Sequence, residues 1–416
     1  MARKEHFGVL VYDRERGDYI PFDADAAAIF EGSLTRSVDD LWVQFEPRLT
    51  RQSFDTFTAL CRSIDLVDGG GRFNGVFVEN RAVDGLLSAP LRVHLAITNE
   101  CQMRCRHCSQ DTRDPLPNEL STAECDALFA EMASIGCCQL AIGGGEPMLR
   151  SDFVAIVTNA RRRGLSVSLS TTATSVNRTA IKKLADVGLK SIRVSLDGGA
   201  EKSYDYYRGV KGAYRKAMRG LNALRDVFPD TPITLHTTLM RANIQELSNL
   251  ARAVRKLGLS SWSLDFVKPV GYGAEQSGAW LRRDEADALY KRLVGLAETV
   301  NVPFRMAHFP YKGSSHRSEI FGYRSLGGNV FCYVSPNGSL APCSFTCRKF
   351  PAGNIRRRSL RDIWVDSEML RRFRIGVAGP QGCGFCMDSA SAGVAGISPD
   401  HVFTMPAGTV PAQPCP

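Results

Sequence analysis

The sequence predicts an α/β fold on a parallel sheet, preceded by a small N-terminal unit and followed by a cysteine-rich C-terminal unit. Three observations lead there. Strand-like and helix-like stretches alternate through residues 91–267, which implies parallel strands joined by helical crossovers. Helical stretches run into Gly136, Gly164, Gly188 and Gly258 just before apolar strands. Glycine past a helix end takes the left-handed conformation without a Cβ clash. Cysteines gather in residues 101–108 and again in residues 332–415.

Residues 1–85 read as a separate module. Residues 7–12 and 19–22 form a hairpin around the charged turn 13–18. One short helix covers residues 26–30, a second begins near Ser37, and a third carries Phe54, Phe57, Cys61 and Ile64 at helical spacing. Gly69, Gly70 and Gly71 then mark a turn. A hairpin with three helices resembles the winged-helix modules that bind leader peptides, where the peptide adds a strand to a sheet edge. Such modules also bind DNA, but Arg51, Asp55 and Arg62 mix their signs on the third helix. No nucleic-acid partner is expected. A plain cap on the barrel is the remaining alternative.

Residues 91–267 hold six strands. One intervening helix starts at a capping box, with Ser121 at the N-cap and Glu124 three residues on. In parallel α/β folds ligands sit at the carboxyl ends of strands, and the motifs fall there. After the first strand comes Cys101-Gln-Met-Arg-Cys105-Arg-His-Cys108, spaced C-x3-C-x2-C. Three thiolates and no fourth would leave one iron of a cubane open for chemistry. Zinc ligands more often come as two close pairs. After the second strand comes Gly143-Gly-Gly-Glu-Pro147.

The cysteine loop and the G-G-E-P segment resemble those of the radical S-adenosylmethionine (radical SAM) enzymes. The resemblance implies a partial (β/α)6 barrel over residues 90–310. It implies a catalytic 4Fe–4S cluster on Cys101, Cys105 and Cys108, whose open iron chelates S-adenosylmethionine. One-electron cleavage of that cofactor gives a 5′-deoxyadenosyl radical in the family. The resemblance assigns cofactor contacts to Gly144, Gly145, Glu146 and Pro147, to Ser170 and Thr172, and to Ser195 and Asp197 near the ribose. The segment Tyr204-Asp-Tyr-Tyr-Arg208-Gly209 resembles a His-Asp-x-x-Arg-Gly motif, with tyrosine for histidine. Arg208 is the candidate for the cofactor carboxylate, the alternative being a surface ion pair. Asp265 and Lys268, near the end of the sixth strand, are candidates to face substrate.

Residues 320–416 resemble the SPASM or twitch auxiliary-cluster extension. Gly338-Ser-Leu-Ala-Pro-Cys343 has the G-x4-C form, and Gly353-Asn-Ile and Ser359-Leu-Arg-Asp-Ile-Trp364 follow. Two departures stand out: Ser325 and Ala392 occupy places where cysteines are usual. The favoured set is one auxiliary 4Fe–4S cluster on Cys332, Cys343, Cys383 and Cys386, with zinc as the alternative. Cys347 and Cys415 are left for a second, incomplete cluster or as free thiols. Cys61, Cys125, Cys137 and Cys138 fit small core positions.

Composition agrees. The chain has 416 residues, 44% of them hydrophobic, and 13 cysteines, enough for two to three domains. No apolar signal segment follows Met1, and no apolar run is long enough to span a membrane. A cytoplasmic protein with cysteine metal ligands is expected. The net charge of +9 suits an acidic peptide or an acidic electron donor. The resemblance implies a radical SAM enzyme that abstracts hydrogen from a ribosomally made precursor peptide, forming a carbon–carbon, ether or thioether crosslink. It also implies a flavodoxin- or ferredoxin-type electron donor. Alternatives are peptide epimerisation, alteration of a tetrapyrrole side chain, or a non-enzymatic redox sensor that binds leader peptide.

Overall fold

A computed structural model describes residues 1–374, apart from 16, 81, 82, 84, 269, 276, 277, 279–284, 286, 287, 290, 291, 294, 297–303, 308–326 and 349. Cys383, Cys386 and Cys415, with Ser325 and Ala392, lie outside the described residues.

The N-terminal module has strands β1 (Ala2–Glu5), β2 (Gly8–Asp13), β3 (Asp18–Phe22) and β4 (Phe77–Val78) in the order β3-β2-β1-β4. Helices α1 (Ala24–Ser33), α2 (Trp42–Phe45) and α3 (Arg51–Ser63) complete it. Phe30, Phe45, Phe54 and Cys61 fill a core of its own. The expected hairpin is β2–β3. Strand β1, which carries Arg3 and Glu5, lies outside the expected hairpin. Both are buried and pair at 2.6 Å. The Arg3 guanidinium also donates to the carbonyls of Ala89, Pro90 and Gly136, so the charge is balanced and its donors used. Tyr19 adds hydrogen bonds to Leu91 and Gly136. These contacts fix the module on the N-terminal end of the barrel.

The barrel strands are β5 (Arg92–Thr98), β6 (Gln139–Gly144), β7 (Ser166–Thr171), β8 (Ser191–Ser195), β9 (Ile233–Leu239) and β10 (Ser261–Phe266). They pair parallel in sequence order, as the alternating pattern requires. Helices α4 (Thr122–Ser134), α5 (Phe153–Arg162), α6 (Arg178–Ala185), α7 (Glu201–Arg208), α8 (Ala213–Val227) and α9 (Leu247–Lys256) connect them. Leu128, Ile156, Leu184, Leu224 and Leu250 place these helices in one apolar core with the outward side chains of the strands. The four junction glycines all have positive φ, from 59° to 80°, and both halves of the Ser121–Glu124 capping box form.

The sheet is longer than six strands. β11 (Phe304–Ala307) adds to β10. β12 (Phe331–Val334) pairs parallel with β5, and β13 (Ser339–Ala341) and β14 (Gly353–Asn354) follow antiparallel. Helices α10 (Leu360–Asp366) and α11 (Glu368–Arg374) close this end. Leu340, Leu360, Ile363 and Trp364 belong to the same core as the barrel. The described part of the C-terminal unit is thus an extension of the barrel sheet rather than a body apart.

Candidate active site

The cysteine loop leaves the carboxyl end of β5 and is held by backbone. Cys101 N–H donates to Arg113 (2.8 Å), Arg104 N–H to Arg208 (2.9 Å) and Arg106 N–H to Tyr207 (3.0 Å). The end of α7 is therefore the loop's seat. Gly209 caps that helix in the left-handed conformation. Burial lifts the Cys101 thiol to about 11, and the charges of Cys105 and Cys108 add to the rise. Arg208 Nη1 donates to Cys105 Sγ at 3.5 Å. Among the described residues no three His, Cys, Asp or Glu side chains converge as ligands of a single ion. A cubane differs, since each thiolate holds a different iron. Three neighbouring thiols with a guanidinium against one of them suit an anionic iron–sulfur cluster.

Asp197 and Arg208, expected as separate cofactor contacts, meet each other. Arg208 Nη2 lies 2.5 Å from Asp197 Oδ2, and His107 Nε2 lies 3.0 Å from the same oxygen. All three side chains are buried, so Arg208 is no surface pair. Burial pushes the Asp197 carboxyl up, but Arg208 and His107 outweigh it and hold it well below the usual carboxylate range. Thr238 N–H donates to Asp197 Oδ1 at 2.7 Å. Arg208 Nε, His107 Nδ1 and Gln102 Oε1 are buried without hydrogen-bond partners. Buried orphan groups are costly and mark a place where a ligand completes the site.

Glu146 is fully buried. It accepts from Thr171 Oγ1 (2.7 Å), Thr172 N–H (2.8 Å) and Thr172 Oγ1 (2.6 Å). Burial raises its carboxyl above the ordinary value, and those donors restrain the rise. The side chains of Glu146 and Thr172 thus latch the ends of β6 and β7. The N–H groups of Gly145 and Glu146 go to the carbonyls of Thr98 and Glu100. Only carbonyls of this turn can serve a cofactor ammonium, which is donor-only. Pro147 is buried at the start of the following turn. Ser170 and the side chains of Asp265 and Lys268 line a cavity of about 320 Å³ inside the barrel, under the cysteine loop. Lys268 Nζ pairs with Asp265 Oδ1 at 3.0 Å. The carbonyl of Ser195 accepts from Tyr204 OH at 3.3 Å.

Of the expected auxiliary ligands, Cys332, Cys343 and Cys347 lie among the described residues. Tyr333 lines the cavity, and strand alternation turns its neighbour Cys332 to the opposite face. There Cys332 is buried in the core and close enough for its charge to lift the Cys137 thiol. Cys343 and Cys347 stay together: burial raises the Cys347 thiol, and the Cys343 charge adds to it. The structure therefore does not bring Cys332 to the pair formed by Cys343 and Cys347. Gln110, just past the cysteine loop, bridges the units. It donates to the Ser344 carbonyl (2.8 Å) and accepts from Tyr333 OH (3.0 Å). Arg348 pairs with Asp111. Sequence reasoning missed Gln102, His107 and Gln110. All three lie in or beside the cysteine motif, and that nearness was the available signal.

Residues 95–254 match the radical SAM superfamily, and residues 327–388 match an iron–sulfur cluster-binding domain. The mycofactocin maturase MftC of Mycolicibacterium smegmatis is 30% identical, over 72% of this chain and 75% of that one. The AdoMet-dependent heme synthase of Methanosarcina barkeri is 28% identical, over 72% and 89%. The structure of Streptococcus suis SuiB bound to precursor peptide SuiA shares the fold, with a TM-score of 0.69 at 15% identity over 89% and 88% of the two chains. With the cysteine loop, its seat on α7 and the barrel in place, this chain belongs to the radical SAM superfamily, as an enzyme that uses a 4Fe–4S cluster and S-adenosylmethionine and carries an iron–sulfur SPASM extension.

Proposed function

We propose that the chain matures a ribosomally made precursor peptide, by abstracting hydrogen from a side chain inserted into the barrel. The observation that carries this reading is the cavity under the cysteine loop. Its volume of about 320 Å³ lies at the small end of ligand pockets and suits an inserted side chain. Similarity to MftC and to a PqqA peptide cyclase, 29% identical over 78% of that chain, supports a peptide substrate. When bound, the cluster and cofactor supply one-electron chemistry that yields a hydrogen-abstracting radical. The protein's residues position and enclose. Arg208 and His107, anchored by Asp197, set the wall between the cluster loop and the cofactor space. Cys343 and Cys347 are the described candidates for an auxiliary cluster. An acidic flavodoxin- or ferredoxin-type donor supplies the electron. The edge of β3 is where an extended leader segment would add as a strand.

The test is anaerobic coexpression with short peptides encoded beside the gene, followed by mass spectrometry. Loss of two hydrogens, absent with Cys105→Ala, would establish a crosslink or desaturation. Unchanged mass with deuterium uptake from heavy water would establish epimerisation instead. A second reading, side-chain chemistry on a tetrapyrrole, draws on the heme synthase similarity, which spans 89% of that enzyme. Cofactor cleavage with every peptide left unmodified would favour it.

A further inference from the structure

The outer side of the cysteine loop carries a positively charged surface. Arg104 and Arg106 flank Cys105 in the chain, and both are exposed. Their backbone N–H groups donate to the carbonyls of Arg208 and Tyr207, so the loop and the end of α7 present one continuous face. Lys202 and Tyr206 stand four residues apart on α7 and therefore on the same side of it. Both are exposed, as is Lys211 just beyond the helix. The Arg104 guanidinium donates to the carbonyls of Cys101 and Met103, neutral partners that leave its charge in place. Among the described residues none of these four cations forms an ion pair with a carboxylate. The acids beside them are engaged elsewhere. Glu201 pairs with Arg215 at 2.9 Å, and Asp205 accepts from the N–H groups of Gly212 and Tyr214.

Tyr206 gives this face an anchor. It is 57% exposed, and no other Phe, Tyr or Trp among the described side chains is as open to solvent. The Arg106 guanidinium lies over its ring, 4.4 Å from the centroid, which holds a long side chain in place at the surface. Tyrosine and arginine are enriched among the residues that anchor protein interfaces. Four unpaired cations around an exposed aromatic ring fit an acidic protein. The position of the face says which kind. Consecutive Cα atoms are about 3.8 Å apart, so a partner resting on Arg104 and Arg106 sits within one residue of Cys105. Arg208, on the same helix as Tyr206, donates to Cys105 Sγ at 3.5 Å. A cluster on this loop needs one electron for each cofactor cleaved. An acidic protein that must come close to it is the one that delivers that electron.

We propose that the face formed by Arg104, Arg106, Lys202, Tyr206 and Lys211 is the docking surface for an acidic one-electron donor protein. One electron passes across it. The donor is oxidised by one electron, the cluster held by the cysteine loop is reduced by one, and no bond forms or breaks. The inference rests on the reading of an acidic flavodoxin- or ferredoxin-type donor and gives that donor a site. It does not depend on the identity of the substrate.

The test uses the full-length, cluster-loaded protein and two reduced donors, a bacterial flavodoxin and a bacterial two-cluster ferredoxin. Reoxidation of each donor is followed by anaerobic stopped-flow absorbance, which needs no substrate. Lys202→Glu combined with Lys211→Glu is expected to slow reoxidation about tenfold at low salt. Iron content and the rate of reduction by dithionite are expected to stay at wild-type values. The gap is expected to narrow as salt rises, because exposed charges are screened beyond about 10 Å at 0.1 M. Lys182→Glu combined with Lys183→Glu makes the same charge change at exposed positions of α6 and is expected to leave the rate unchanged. Undiminished transfer in the first double variant, or an equal loss in the second, overturns the docking surface and leaves the donor class standing. Equal slowing with dithionite and with the protein donors marks a structural role and also overturns it. If dithionite reduces the wild type and neither protein donor does, the surface and the donor reading fall together.

Discussion

A Cβ atom placed on Gly209 would lie 2.3 Å from the carbonyl oxygen of Arg104. Helix α7 therefore touches the cysteine loop backbone to backbone, at the one residue type that permits it. Gly212, three residues on, has a similar positive φ but nothing within 4 Å of its Cβ position. Gly212→Ala is expected to cost only the conformational penalty, about 1 kcal/mol, and to keep its iron. Gly209→Ala is expected to cost more and to lower iron bound by the three-cysteine loop. Iron analysis and urea unfolding of both variants check this; equal iron content would sink it.

Glu146 serves the fold before it serves a ligand. Glu146→Ala strands the donors of Thr171 and Thr172 in a buried place, at a cost of about 2–4 kcal/mol. Glu146→Gln retains one acceptor oxygen and is expected to lose less. Urea midpoints rank the three proteins, and a neutral Glu146→Ala would refute the latch.

The Asp197–Arg208 pair is buried, so breaking one side is worse than removing both. Arg208→Met leaves the Asp197 carboxylate with only His107 and the Thr238 N–H and is expected to cost about 3–5 kcal/mol. Adding Asp197→Asn to that variant is expected to restore part of the loss. A double-mutant cycle on unfolding free energy measures the coupling; additive losses would contradict it.

Hydrogen bonding from Arg356 and the Ser121 backbone holds the Glu124 carboxyl down to about 2, from an ordinary value of 4.5. Between those values the unfolded chain binds more protons than the folded one. The contribution to stability is thus complete above the unfolded pKa and lost as pH falls through the folded one. Both side chains are partly exposed, so its size is below about 1 kcal/mol. The urea midpoints of wild type and Arg356→Ala are expected to converge on acidification from neutral to about pH 3. A gap unchanged by pH would argue against the pair.

Cys332→Ala is expected to cost about 1–2 kcal/mol as a small core truncation and to leave auxiliary iron intact. Cys343→Ala and Cys347→Ala are expected to lower it. Iron and sulfide counts on anaerobically reconstituted protein, in a background lacking the three-cysteine loop, separate these outcomes.

Features whose meaning is local were legible in the chain. The spacing of Cys101, Cys105 and Cys108, the capping box at Ser121 and Glu124, and glycines such as Gly136 depend on neighbours a few residues away. Strand–helix alternation then implied a parallel sheet, because parallel strands need long crossovers. Pairings between distant residues were not legible. Arg3 and Glu5 look like surface charge until Ala89, Pro90 and Gly136 supply acceptors. Cys332 looks like a ligand until the pairing of β12 with β5 decides which way it faces.

By itself, then, the sequence determined the barrel, the three-thiol loop and the iron–sulfur extension, since each is written in short-range spacing and periodicity. Tertiary structure alone decided that Arg208 is spent on Asp197 and Cys105, and that Arg106 of the cysteine loop stacks on Tyr206 of α7. The physical reason is that charge and hydrogen bonding are settled by the partners a folded chain brings within reach, and those partners come from strands and helices far apart in the chain.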